Sequence, residues 1–119
     1  MIAAERYMDL SSSLKGDYQV ITVNAPRIDA AAAIAFKEAL RTQTAEGTCD
    51  VLLDLGAVDF IDSSGLGAIV AALKLVGPAR RLDLARLTPD VAKVFRLTRM
   101  NTIFTIHEGL EDAAPRRAG

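Results

Sequence analysis

The sequence is short of the residues from which most active sites are built. Its 119 residues include one cysteine, Cys49, and one histidine, His107. A single cysteine cannot form an internal disulfide, which fits a reducing compartment. Cys49 reads as a small residue at the start of a strand, with a reactive thiol as the alternative. No cluster of Cys, His and carboxylate side chains suggests a metal, and no cofactor is expected. Neither Gly-x-x-x-x-Gly-Lys-Ser/Thr nor Gly-x-Gly-x-x-Gly occurs, so these phosphate-cradling loops are missing. No Gly-x-Ser-x-Gly elbow is present either, and His107 stands 44 positions beyond the best serine candidate, Ser63. The chain is therefore not expected to be an enzyme.

An excess of one charge is lacking too. Lys plus Arg number 14 and Asp plus Glu 15, a net of −1. Basic residues cluster only as the pairs Arg80-Arg81 and Arg116-Arg117, which excludes the basic stripe of a nucleic-acid binder. The longest apolar stretch, Leu66 to Val76, is interrupted by Lys74 and falls short of the ~20 residues a membrane helix needs. MIAAERYMDL shows no basic segment followed by an apolar one, so no signal peptide and no membrane insertion are expected. A cytoplasmic location follows as an expectation. What the chain does have is a composition that is 50% hydrophobic, enough for one core in one domain.

The informative stretch runs from Val51 to Val76, VLLDLGAVDFIDSSGLGAIVAALKLV. Val51-Leu52-Leu53 reads as a buried strand and Gly56 as a turn. Val58-Asp59-Phe60-Ile61 leads into Asp62-Ser63-Ser64-Gly65-Leu66-Gly67. Beyond it Leu66, Ile69, Val70, Leu73 and Val76 recur at helical spacing. Asp62 or Ser63 is the expected N-cap, because a short side-chain oxygen can accept an orphan amide of the first turn. The other face of this helix carries Gly65, Gly67, Ala68, Ala71 and Ala72. Two glycines in a first turn cost about 1 kcal/mol each relative to alanine. Such a smooth face suits either close approach by a partner or burial within the domain.

Elsewhere the pattern alternates strands and helices. Ser11-Ser12-Ser13 and Gly16-Asp17 look like an edge strand and a turn, and Tyr18 to Val23 is a strand. After a break at Asn24 to Arg27, Asp29 caps a helix to about Thr44. Its apolar stripe is Ala32 or Ala33, Phe36 and Leu40. Gly77-Pro78 ends the central helix, and Leu82 to Ala85 is a strand. Thr88-Pro89-Asp90 starts a helix whose inner stripe is Val91, Val94, Phe95 and Thr98. Thr102 to Ile106 reads as a last strand and Glu108 to Ala113 as a short last helix. The expected division is one domain over residues 1–114 and a short flexible tail over 115–119. This order argues an α/β domain with parallel strand pairs.

Asp62-Ser63-Ser64-Gly65-Leu66-Gly67 after an apolar strand resembles the signature of the STAS family, the sulfate transporter and anti-sigma factor antagonist domains. The resemblance extends from about Gly16 to Ala114 and is nearest to the small bacterial anti-anti-sigma factors. It implies an α/β fold, a single STAS-like domain with a mixed four- to five-stranded sheet and about four helices mainly on one face. Two segments depart from the family pattern. Ala25-Pro26-Arg27 replaces most of a Gly-Glu-Leu-Asp-like turn, leaving only Ile28-Asp29. Thr98-Arg99-Met100 replaces a Thr-Gly-Leu-like turn, which suggests a different local backbone.

The resemblance also implies a function. Ser63 matches the family's phosphorylated serine, with Ser64 as the secondary candidate. The unphosphorylated form would bind an anti-sigma factor with serine kinase activity and so release a sigma factor. A PP2C-like serine phosphatase would reverse the modification. The partner-binding surface would comprise Asp29, Asp62, Ser63, Ser64, Gly65, Gly67, Ala68 and Ala71. Physical chemistry fits this scheme: a phosphate adds about −1.5 to −2 charge beside Asp59 and Asp62, so a docked partner would be repelled while the fold survives. Plainer roles stand beside each assignment. Ser63 or Ser64 can be a capping serine without regulation, Asp29 and Asp62 plain helix caps, and Gly65 and Gly67 requirements of the turn. A rival reading is a non-switching STAS subunit of a lipid-transport ATPase complex or a stress-signalling scaffold.

Overall fold

The helices and the main sheet are built around the apolar run of the central strand. In the computed structural model, which describes residues 8–112, the elements follow in this order. Strand β1 is Leu10–Lys15, β2 Tyr18–Val23 and β3 Arg27–Ile28; helix α1 is Ala30–Thr44. Then come β4 Asp50–Asp54, β5 Phe60–Ile61, α2 Ser63–Leu75, β6 Leu82–Ala85 and α3 Pro89–Leu97. A 3-10 turn at Met100–Thr102, strand β7 at Ile106–His107 and a second 3-10 turn at Leu110–Asp112 close the described chain.

Five strands form one sheet in the order β1-β2-β4-β6-β7. The β1–β2 hairpin is antiparallel and the other pairs are parallel, so the sheet is mixed. Central β4 is buried along its whole length, as a strand covered on both faces must be. Val51 and Leu53 join Leu82 and Leu84 in a core shared with Phe36 and Leu40 of α1, Ile69 and Ala72 of α2, and Val91 and Phe95 of α3. All three α-helices therefore lie on one face. Strand alternation sends Leu52, Val20, Tyr18 and Ala85 to the other face, where Leu110 packs on them.

Two details differ from the sequence-based expectation. The last strand is Ile106–His107 and not Thr102 to Ile106. The last helix is the single 3-10 turn Leu110–Asp112, so the described residues hold three α-helices and two 3-10 turns. The late start of the strand traces to the end of α3. Arg99 takes a left-handed backbone, φ 65° and ψ 16°, and starts a tight turn in which Ile103 and Phe104 donate their amides to the Met100 carbonyl. Phe104 is then turned into the core, edge-on to Phe95 at 6.1 Å between ring centroids, and is not available for a strand. Arg99 occupies the place where the STAS pattern has glycine, and it adopts the conformation glycine favours. Ala113 and the expected tail over 115–119 lie outside the described residues.

Candidate functional site

A two-stranded parallel pair, β3 beside β5, sets the geometry around Ser63. Its register places Arg27 against Phe60 and Ile28 against Ile61. Each strand runs on into an aspartate and then a helix: Ile28-Asp29 into α1, Ile61-Asp62 into α2. Both isoleucines are buried, which anchors the pair. The two helices consequently start side by side at one end of the domain. Their amide-rich, positive ends share that surface with two carboxylates, the arrangement that helix dipoles favour.

Asp29 caps α1 by accepting the Ala32 amide at 3.2 Å and also accepts Arg27 Nε at 3.1 Å. The Arg27 hydrogen bond is the main reason the Asp29 carboxyl titrates below its ordinary value. Asp62 caps α2 by accepting the Gly65 amide at 2.9 Å through Oδ1. Its Oδ2 accepts the Ala30 amide, the first residue of α1, at 3.2 Å. Of the two N-cap candidates, Asp62 holds the position and Ser63 is the first helical residue. Ser63 and Ser64 are both exposed. Asp59, ahead of β5, is exposed, and its amide donates to the Pro26 carbonyl at 2.8 Å.

The small face of α2 divides. Gly65, Ala68 and Ala72 are buried inside the domain. A Cβ on Gly65 would be driven into the backbone carbonyl of Ile28, so this glycine lets α2 approach β3. Gly65 and Ala68 are thus taken up in packing within the domain, one of the two uses that suited such a smooth face. Gly67 is exposed with open space at its Cβ position, and Ala71 is half-buried in a groove between α1 and α2. Asp29, Asp62, Ser63, Ser64 and Gly67 are brought together. His107 is not: its Nε2 lies 3.0 Å from Asp83 Oδ2, which also receives the Tyr18 hydroxyl at 3.0 Å and Arg81 Nη2 at 2.7 Å. That cluster sits on the face of the sheet opposite the α-helices, since Asp83 alternates with core-facing Leu82 and Leu84.

Sequence reasoning missed Arg27 and Phe60. The Arg27 guanidinium lies over the Phe60 ring, 4.3 Å from its centroid, while it pairs with Asp29. The Pro26 carbonyl accepts the amides of both Asp59 and Phe60. The Ala25-Pro26-Arg27 departure is thus the splice between the two helix starts. One signal was available: Ile-Asp ahead of a helix occurs twice, at Ile28-Asp29 and Ile61-Asp62.

Comparison with known proteins gives the family and the fold. Residues 13–113 match the STAS domain. The chain belongs to the STAS family. It is 32% identical over 88 residues to BtrV of Bordetella bronchiseptica, which carries the designation anti-sigma factor antagonist; the match covers 73% of this chain and 76% of BtrV. An anti-sigma factor antagonist from Mycobacterium paratuberculosis has the same fold, with a TM-score of 0.77 and 22% identity over 90% of this chain and 91% of that one. So has unphosphorylated SpoIIAA, an anti-sigma factor antagonist, at a TM-score of 0.68 and 20% identity over 87% of this chain and 90% of that one. Bacillus SpoIIAA has also been solved in a phosphorylated form. Among the described residues no helix is long and apolar enough to cross a membrane.

Proposed function

We propose that this STAS protein is an anti-sigma factor antagonist switched by phosphorylation of Ser63. The observation that carries the reading is the placement of Ser63: exposed, first in α2, directly after the shared cap Asp62, within the motif typical of the family. An anti-sigma factor with serine kinase activity docks on the surface formed by Asp29, Asp62, Ser63, Ser64 and Gly67. The kinase moves the terminal phosphoryl group of ATP to the Ser63 oxygen, and ADP leaves. Three anionic oxygens then stand directly after Asp62, and the docked partner is repelled and left with a charge it cannot desolvate. A serine phosphatase hydrolyses the phosphate and restores docking.

Support for a switch that spares the fold comes from exposure. Ser63 makes no part of the core, so the new charge has no packing to disrupt. Ser64 is the competing acceptor on the same turn. The test compares tagged wild type, Ser63→Ala and Ser63→Glu in pulldowns from cells that express the protein natively. Wild type and Ser63→Ala should recover a kinase-like anti-sigma factor and Ser63→Glu should not. Equal recovery by all three would refute the switch. Incubating the captured kinase with ATP should then phosphorylate wild type, leave Ser63→Ala unmodified, and distinguish Ser63 from Ser64 by mass spectrometry.

A further inference from the structure

The β1 edge of the sheet is long, open and nearly self-complementary. Leu10 is buried, and Ser11 to Lys15 are all exposed. Leu14 stands out at 75% exposure. Among the described residues no strand pairs on the outer side of β1, whereas the opposite edge, β7, has only two residues. Asp9 just before the strand is exposed as well.

Backbone parity decides which groups this edge offers. The Asn24 amide donates to the Asp9 carbonyl, continuing the β1–β2 ladder, so odd-numbered residues of β1 bond inward to β2. The pleat then turns the N–H and C=O groups of Leu10, Ser12 and Leu14 outward. Such a row is a template for another strand. The sequence on it reads Asp9-Leu10-Ser11-Ser12-Ser13-Leu14-Lys15. Reversed about Ser12, it matches itself: serine faces serine, leucine faces leucine, and Asp9 faces Lys15.

We propose that two copies of this chain associate through antiparallel β1 strands, related by a two-fold axis at Ser12. In that register the outward-turned residues meet one another. Ser12 pairs with its own copy and Leu10 with Leu14 of the second copy. Side chains directly opposite share a face, so exposed Leu14 is covered by the leucine that already leans on the core. Asp9 stands opposite Lys15 at both ends, a charge match that a one-residue slip destroys. The two sheets become one, with the helices of both copies on the same side. Gln43 Nε2 reaches the Leu10 carbonyl at 3.3 Å, a long bond that the incoming strand must share or displace. The edge contains none of Asp29, Asp62 or Ser63, so the association is separate from the phosphorylation reading.

Sedimentation velocity over a concentration series of the full chain tests it. Wild type should show a reversible monomer–dimer equilibrium. Lys15→Glu, which sets like charges opposite each other twice, should weaken it about tenfold. The swapped pair Asp9→Lys with Lys15→Asp should restore it to within about threefold of wild type. Ser12→Pro removes an outward amide that β2 does not use, and should leave a folded monomer by circular dichroism. A monomer at every concentration up to about 1 mM would overturn the proposal. So would a dimer indifferent to Lys15→Glu and Ser12→Pro, or one that the charge swap fails to restore.

Discussion

The carboxylate of Asp62 accepts the backbone amide of Ala30, 3.2 Å away and on a different helix. One side chain thereby caps its own helix and ties down the start of the next. The Ser63 turn is consequently held from two sides, and its position relative to Asp29 is fixed by hydrogen bonds and not only by packing.

This double use makes Asp62 more than an ordinary cap. Asp62→Ala should lower the unfolding free energy by about 1–2 kcal/mol, the upper part of the range for a lost N-cap. Asp62→Asn keeps one acceptor oxygen and should lose about half as much. Urea denaturation with a common slope for the three proteins measures both.

Gly65 and Gly67 are two residues apart in one helix turn and should respond oppositely to alanine. At Gly65 the added methyl meets the Ile28 backbone carbonyl, which cannot step aside without moving β3. Gly65→Ala should cost about 2 kcal/mol or more. Gly67 faces open space, so Gly67→Ala should stabilise by about 0.5–1 kcal/mol through helix propensity. Thermal melts separate the two. Similar losses at both sites would mean that α2 does not approach β3 as described.

The acid range reports on Arg27. Its hydrogen bond to Asp29 lowers the carboxyl below the ordinary 3.8. Because the folded value is the lower one, ionised Asp29 favours the fold above about 3.8 and that contribution disappears as pH falls through the folded value. In Arg27→Gln the Asp29 midpoint should rise, as followed by carboxyl NMR titration. An unchanged midpoint would show that the backbone amides of α1 suffice to hold the charge.

Arg99 sits at φ 65°, where a side chain is strained and glycine is not. Arg99→Gly should be neutral to stabilising, by up to about 1 kcal/mol, since relief of the strain exceeds the added freedom of the unfolded chain. Arg99→Val should destabilise, because a β-branched residue tolerates this backbone least. Chemical denaturation of the pair decides it.

The sequence by itself determined which stretches are strand and which helix wherever an apolar period is long enough to read. Val51-Leu52-Leu53 can only be buried on both faces, Phe36 and Leu40 can only face a core, and Thr88-Pro89-Asp90 can only begin a helix. Those are local properties of side chains and backbone, so they are legible without neighbours. Ser63 stood out as a candidate for a different reason, through the motif around it. What tertiary structure alone decided is how the helix starts are joined. Nothing local to Asp62 says that its second oxygen will find Ala30, 32 positions earlier. The pairing exists because β3 and β5, only two residues each, lie side by side. Nor does the sequence say which small residues of α2 face inward. That follows from the packing of α2 against β3 and α1, which buries Gly65, Ala68 and Ala72 and leaves Gly67 outside. Short strands and long-range hydrogen bonds carry almost no periodic signal, and the surface around Ser63 is made of them.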